Sequence, residues 1–253
     1  MAALEALLFD VDGTLADTEK DGHRVAFNLA FEKAGLDWHW DETLYADLLA
    51  VTGGKERIKF YLDKFNTAFV KPADFDDFVK GLHASKTDFY TALMAQGAVP
   101  LRPGVARLLR EARAAGMRMA VVTTTTPENV SALLENALAP DAMSWFEVIA
   151  AGDIVPAKKP APDIYHWALD KMQLSPAQAI AFEDSRNGIL SSLGAGVKTI
   201  ITINGYTAAD DFSGATLVLS DLGEPGQAFE VLSGDAKGQS YVDLALVKQL
   251  HQA

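Results

Sequence analysis

Cysteine is absent from all 253 residues, which excludes disulfides, thiolate chemistry and cysteine metal sites. Basic residues are scarce beside acidic ones, 22 Lys and Arg against 34 Asp and Glu, and a net charge of −12 repels nucleic acid and anionic membrane surfaces. Neither is expected as a partner. Long apolar runs are also missing. The opening MAALEALLFDVDG has no basic segment ahead of its short apolar stretch and meets two aspartates at once, unlike a signal peptide or a membrane span. The expectation is a monomer in the cytoplasm, handling a small molecule. If that molecule is anionic, local cations and oriented backbone amides must outweigh the global field.

What is present is 49% hydrophobic residues, enough for one sizeable core and a smaller second one. Leu4 to Asp10 is an apolar run closed by an acid, as in a strand buried on both faces. Similar runs span Met119 to Thr123, Phe146 to Ala150, Ala179 to Phe182 and Lys198 to Ile203. Between them lie helix-period stretches, Val105 to Ala115, Glu128 to Leu138, Asp163 to Met172 and Asn187 to Leu193, with Gly116 and Gly194 placed as stops.

From Thr18 to Gly97 no buried strand is evident, only amphipathic segments such as Val25 to Ala34, Leu44 to Leu49, Ile58 to Phe65 and Phe75 to Met94. Pro100, Pro103 and Gly104 mark the return. The pattern predicts an α/β fold, a doubly wound parallel, Rossmann-like sheet with an inserted small α-helical cap domain. The core would take residues 1–17 and 98–253, and the cap 18–97. A terminal helix is expected over Tyr241 to Gln249.

Ligands of a parallel sheet collect beyond the carboxyl ends of its strands. There the sequence offers Asp10 and Asp12 in DVDGTL, the threonines Thr123 to Thr126, Lys158 and Lys159 before Pro160, and Glu183, Asp184 and Ser185. A carboxylate cluster, hydroxyls and a lysine at one edge can hold a divalent cation and a phosphate together. Of two neighbouring acids, one can attack phosphorus while the other moves protons. A lone D-x-D is more often a solvated turn, and Asp184 or Ser185 could cap the next helix, though a cap accounts for one acid and not two beside a strand end. Position directly after buried strands favours chemistry. Lys159, kept out of a helix by Pro160, suits a point charge on a phosphoryl oxygen, and Thr123 and Thr124 are placed to donate to phosphate at the start of the next helix.

These four elements in this order resemble the haloacid dehalogenase superfamily over nearly the whole chain. The insert is similar to the cap of its beta-phosphoglucomutase-like branch, and within that branch the chain resembles the Rubisco-associated CbbY sugar phosphatases. The resemblance implies Asp10 as nucleophile and Mg²⁺ ligand, and Asp12 as general acid and base with its carbonyl on the metal. It implies Thr123 and Lys159 as phosphoryl ligands and Asp184, with Glu183 beside it, at the metal. It also suggests xylulose 1,5-bisphosphate, an inhibitor of Rubisco, as substrate. Mutases of the branch carry a histidine ten residues after the second aspartate, where this chain has Gly22, and an arginine in the first cap loop, where it reads Thr52, Gly53, Gly54, Lys55. Both departures speak against mutase activity. Gly53, Gly54, Lys55, Arg57, Glu19, Lys20, His23 and Lys86 are the candidates for holding the rest of the substrate. The rivals are a phosphosugar mutase, a receiver-like module that only accepts phosphate on aspartate, and a metal-free dehalogenase.

Overall fold

The computed structural model describes residues 2–252. Its sheet has seven strands in the order β3-β2-β1-β4-β5-β6-β7. These are β1 (Ala6–Phe9), β2 (Arg118–Val122), β3 (Val148–Ala150), β4 (Ala179–Glu183), β5 (Lys198–Thr202), β6 (Leu217–Leu219) and β7 (Val231–Gly234). Every pairing is parallel except the last, β6 with β7. The sheet is therefore mixed at one edge, and neither β6 nor β7 was anticipated. β6 is only three residues long and β7 is exposed along its whole length, so neither leaves an apolar run to read.

Side chains alternate across the central strands with a period of two. Leu7 and Phe9 of β1 join Val121, Ile180 and Phe182 in one core, covered by α5 (Val105–Ala114), α6 (Pro127–Ala137) and α9 (Leu244–Gln252). Ala6 and Leu8 face the other way, with Ala120, Val122 and Ala181, under α7 (Asp163–Met172). The small residues on this second face let α7 approach closely. α8 (Arg186–Gly194) follows β4, and its stop lies later than expected: Gly194 is still helical, and the left-handed glycine is Gly196, with φ +77°.

Between β1 and α5 the chain forms a π-helical turn, Glu19–His23, then α1 (Arg24–Lys33), α2 (Glu42–Leu48), α3 (Gly54–Lys64) and α4 (Phe75–Ala95). This stretch has its own core, in which Phe27, Phe31, Trp38, Trp40, Tyr45, Ile58 and Leu62 are buried. Phe27 and Phe31 lie 4.7 and 4.8 Å from the Trp40 ring. The Asn28 amide clamps the Trp40 backbone at both its N–H and its carbonyl, 2.8 and 2.9 Å. Among the described residues no helix is long and apolar enough to cross a membrane.

Candidate active site

Strand β1 is central, flanked by β2 and β4, so the loops leaving its carboxyl end and theirs splay apart and open a cleft. Asp10 stands at the tip of β1, its backbone N–H still donating to Phe182 O. Gly13 then turns the chain with φ +82°, and a Cβ there would collide with the Asp184 carboxylate. Buried Arg102, on the segment that returns to the sheet, donates to the carbonyls of Gly13, Thr202, Ile203 and Ser220. It ties this loop to those after β5 and β6. Sequence reading missed Arg102, which lies between the two prolines taken only as punctuation.

Lys159 is buried and donates to Asp10 Oδ1 at 2.7 Å, Glu183 Oε1 at 2.6 Å and Val122 O at 2.9 Å. The peptide between Lys159 and Pro160 is cis. Glu183 Oε1 also accepts from the Tyr165 hydroxyl at 2.5 Å, while its Oε2 has no partner. Asp184 accepts from Asn204 at 2.7 Å. Oxygens of Asp10, Glu183 and Asp184 lie within 4.8 Å of one another. Three buried carboxylates against one buried ammonium leave excess negative charge, and the acids respond. Burial, opposed by Lys159 and reinforced by Glu183 and Asp12, pushes the Asp10 carboxyl up to about 7. Burial, with Asp10 and Glu183 close by, raises Asp184 as well. A hard divalent cation with oxygen ligands fits this donor set and would relieve the strain.

Asp12 faces differently. It is not in that cluster, and its Oδ1 accepts from Thr18 Oγ1 at 2.5 Å and meets His23 Nε2 at 2.7 Å. Lys86 Nζ lies 2.6 Å from His23 Nδ1. An ammonium can only donate, so Nδ1 accepts and Nε2–H points at Asp12. The His23 ring stacks on Tyr90 at 4.3 Å, which fixes its plane. Burial alone would raise Asp12, but His23, Thr18 and the Lys86 charge outweigh it and hold the carboxyl at about 2. Burial lowers Lys86 to about 8.

The histidine count is thereby corrected. Gly22 does occupy the tenth position after Asp12, but the π-helical turn inserts one residue, and His23 reaches the aspartate. With a histidine on Asp12, Gly22 no longer argues against mutase activity.

The cleft has two lobes that share Asp12, Glu19, Arg57 and Thr124. One lobe holds Asp10, Thr123, Lys159, Glu183 and Asp184. The other is lined by Gly53, Gly54, Lys55, Lys86 and Lys158, with the unforeseen His83 and Asp153. His83 is kept neutral, lowered to about 3 by burial and by Lys86, Lys55 and Lys158 around it. Arg57 is buried, its guanidinium 2.7 Å from the Tyr45 hydroxyl and 3.3 Å from Glu19.

Two expectations fail. Lys20 points away from both lobes and pairs with Glu42 at 3.1 Å, half exposed, because the π-helical turn presents it outward. Thr123 and Thr124 do not start the next helix. Thr126 caps it, and the Thr123 hydroxyl instead accepts the Thr125 N–H at 3.3 Å.

A doubly wound sheet, a helical insert over its carboxyl edge and an aspartate flanked by lysine and acids define a class of hydrolase. The model of the haloacid dehalogenase-like hydrolases matches residues 4–196, and the chain belongs to that family. It is 42% identical over 249 residues to the plasmid CbbY protein of Cupriavidus necator, covering 98% of this chain and 97% of that one. It is 48% identical to CbbY of Rhodobacter capsulatus, covering 87% and 94%. Among solved structures, a mutant CbbY from Rhodobacter sphaeroides in complex with xylulose-(1,5)bisphosphate superposes with a TM-score of 0.80 at 46% identity, over 86% of this chain and 94% of that one. Membership in this family makes the chain an enzyme and removes the receiver-like reading.

Proposed function

We propose that the chain is a magnesium-dependent sugar phosphatase that converts xylulose 1,5-bisphosphate to xylulose 5-phosphate through an aspartyl-phosphate on Asp10. The observation that carries this reading is the cleft itself. An acid-and-lysine lobe suited to phosphoryl transfer opens, past Asp12, into a lobe lined by Lys55, His83, Lys86 and Lys158. A substrate with a phosphate at each end matches both lobes, and local cations there answer the net charge of −12. The bound bisphosphate of the Rhodobacter sphaeroides relative supports the same choice. The division into a core of 1–17 and 98–253 and a cap of 18–97 belongs to this reading.

Asp10 attacks phosphorus, and the bond from phosphorus to the sugar oxygen breaks. Asp12 gives its proton to the departing alkoxide, then takes one from the water that attacks the aspartyl-phosphate and frees Asp10. The Lys86, His23, Asp12 chain supplies the proton Asp12 needs, because at about 2 its carboxyl is otherwise a base. Lys159, Thr123 and Thr124 hold phosphoryl oxygens, and Lys159 keeps Asp10 and Glu183 from repelling. Mg²⁺, when held by Asp10, Asp184 and the Asp12 carbonyl with Glu183 alongside, supplies positive charge to the phosphoryl group and to the buried acids.

A phosphate-release assay across sugar mono- and bisphosphates, with and without Mg²⁺, tests the reading. We expect release from xylulose 1,5-bisphosphate only with the metal, and none from Asp10→Asn. Because His23 meets Asp12, a mutase is the second reading. Isomerised sugar phosphate without free phosphate would establish it in place of the first.

A further inference from the structure

The basic side chains of the second lobe are not equally available to a ligand. Arg57 is committed to Glu19 and Tyr45, and Lys86 to His23, all largely buried. Lys55 and Lys158 instead share one partner, Asp153. Lys158 Nζ lies 2.8 Å from Asp153 Oδ1, and Lys55 pairs with Oδ2. Lys55 belongs to α3 of the insert, while Asp153 and Lys158 belong to the loop after β3, so the carboxylate joins cations from both sides of the cleft. Its side chain is 57% exposed at the cleft mouth. Flanking lysines hold it at about 2, so it remains an anion wherever the enzyme works. Glu56 contacts Lys158 more loosely, at 3.2 Å.

We propose that Asp153 is a specificity-determining residue, whose carboxylate holds Lys55 and Lys158 in place of the substrate's second phosphate until that phosphate displaces it. This rests on the bisphosphatase reading above. A phosphate dianion entering the lobe offers more charge and more acceptor oxygens than one carboxylate, and an exposed Asp153 returns to water at little loss. A substrate with one phosphate leaves Asp153 in place. The residue thus opposes every bisphosphate by a fixed amount while keeping the two lysines poised, and it does so without touching the reacting atoms.

The test is Asp153→Asn, with Asp153→Ser as a second variant, assayed on xylulose 1,5-bisphosphate and on p-nitrophenyl phosphate, the latter used as a competitive inhibitor where its turnover is undetectable. We expect the KM for the bisphosphate to fall about three- to tenfold with kcat unchanged, and the p-nitrophenyl phosphate constant to stay within twofold. In the Lys158→Met background the gain should shrink, and with Lys55→Met added it should disappear. An unchanged or higher KM for the bisphosphate in both variants, or an equal fall for both compounds, would overturn the proposal. Wild-type protein that releases no phosphate from any sugar bisphosphate would instead defeat the functional reading beneath it.

Discussion

Among single residues, His23 and Lys86 govern how Asp12 can act. The chain from Lys86 Nζ to His23 Nδ1, and from Nε2 to Asp12, needs an ammonium at its outer end. Lys86 is held at about 8 by burial, so it loses its proton at mildly alkaline pH, when Asp12 loses the source behind it. We predict an alkaline limb near pH 8 in the kcat profile. Lys86→Met should lower kcat by about ten- to a hundredfold and flatten that limb, because the group that titrates is gone. A limb of the same position and depth in the variant would place its origin elsewhere. His83 acts on stability in the opposite range. Its ordinary value of 6.5 falls to about 3 in the folded protein, so below about pH 6.5 the unfolded chain binds the extra proton and the fold weakens as pH drops. His83→Gln should reduce the loss of melting temperature between about pH 6.5 and pH 4.

At the scale of elements, what sequence revealed depended on how strongly a segment's surroundings constrain it. Five strands announced themselves as apolar runs, β1 and β4 being buried along their whole length, and the polar residue closing three of the runs, at Asp10, Thr123 and Glu183, is a cleft residue. Strand β7 has no buried side chain to pattern it, and β6 no length. His23 was expected only to help hold the substrate, and its place on Asp12 escaped because the ten-residue offset pointed to Gly22 and nothing in the sequence announces a π-helical turn. His83 and Asp153 had no local signal, since what joins them to Lys158 is the closeness of α4 and the β3 loop. The π-helical turn itself gives a prediction. Deleting exposed Asp21, which has no side-chain partner, should let the turn relax to an α-helix and leave His23 on Asp12, with kcat/KM within about fivefold of the parent. Loss of activity as complete as in His23→Ala would show that the extra residue is required. The insert's aromatic core is the element that holds α1 to α4 together, and Trp40→Ala should lower stability by about 3–5 kcal/mol in a denaturant titration.

For the whole molecule, the buried acids set function against stability. Asp184 is raised well above its ordinary 3.8 by burial, Asp10 and Glu183, so the folded protein prefers it protonated. As pH rises above about 4, the unfolded chain gives up this proton more readily than the folded one, and stability declines. A divalent cation that binds only the folded state reverses the decline by mass action. Wild-type protein in chelator should therefore melt at a lower temperature than in millimolar Mg²⁺, and the gap should widen from about pH 5 to pH 8. Asp184→Asn removes one buried charge from a cluster already too negative. In chelator it should melt higher than wild type, with no response to Mg²⁺ and no phosphate release. A variant that melts lower in chelator, or one that still gains stability from Mg²⁺, would mean that the Asp10, Glu183 and Asp184 cluster is balanced by the protein alone and was not built around a cation.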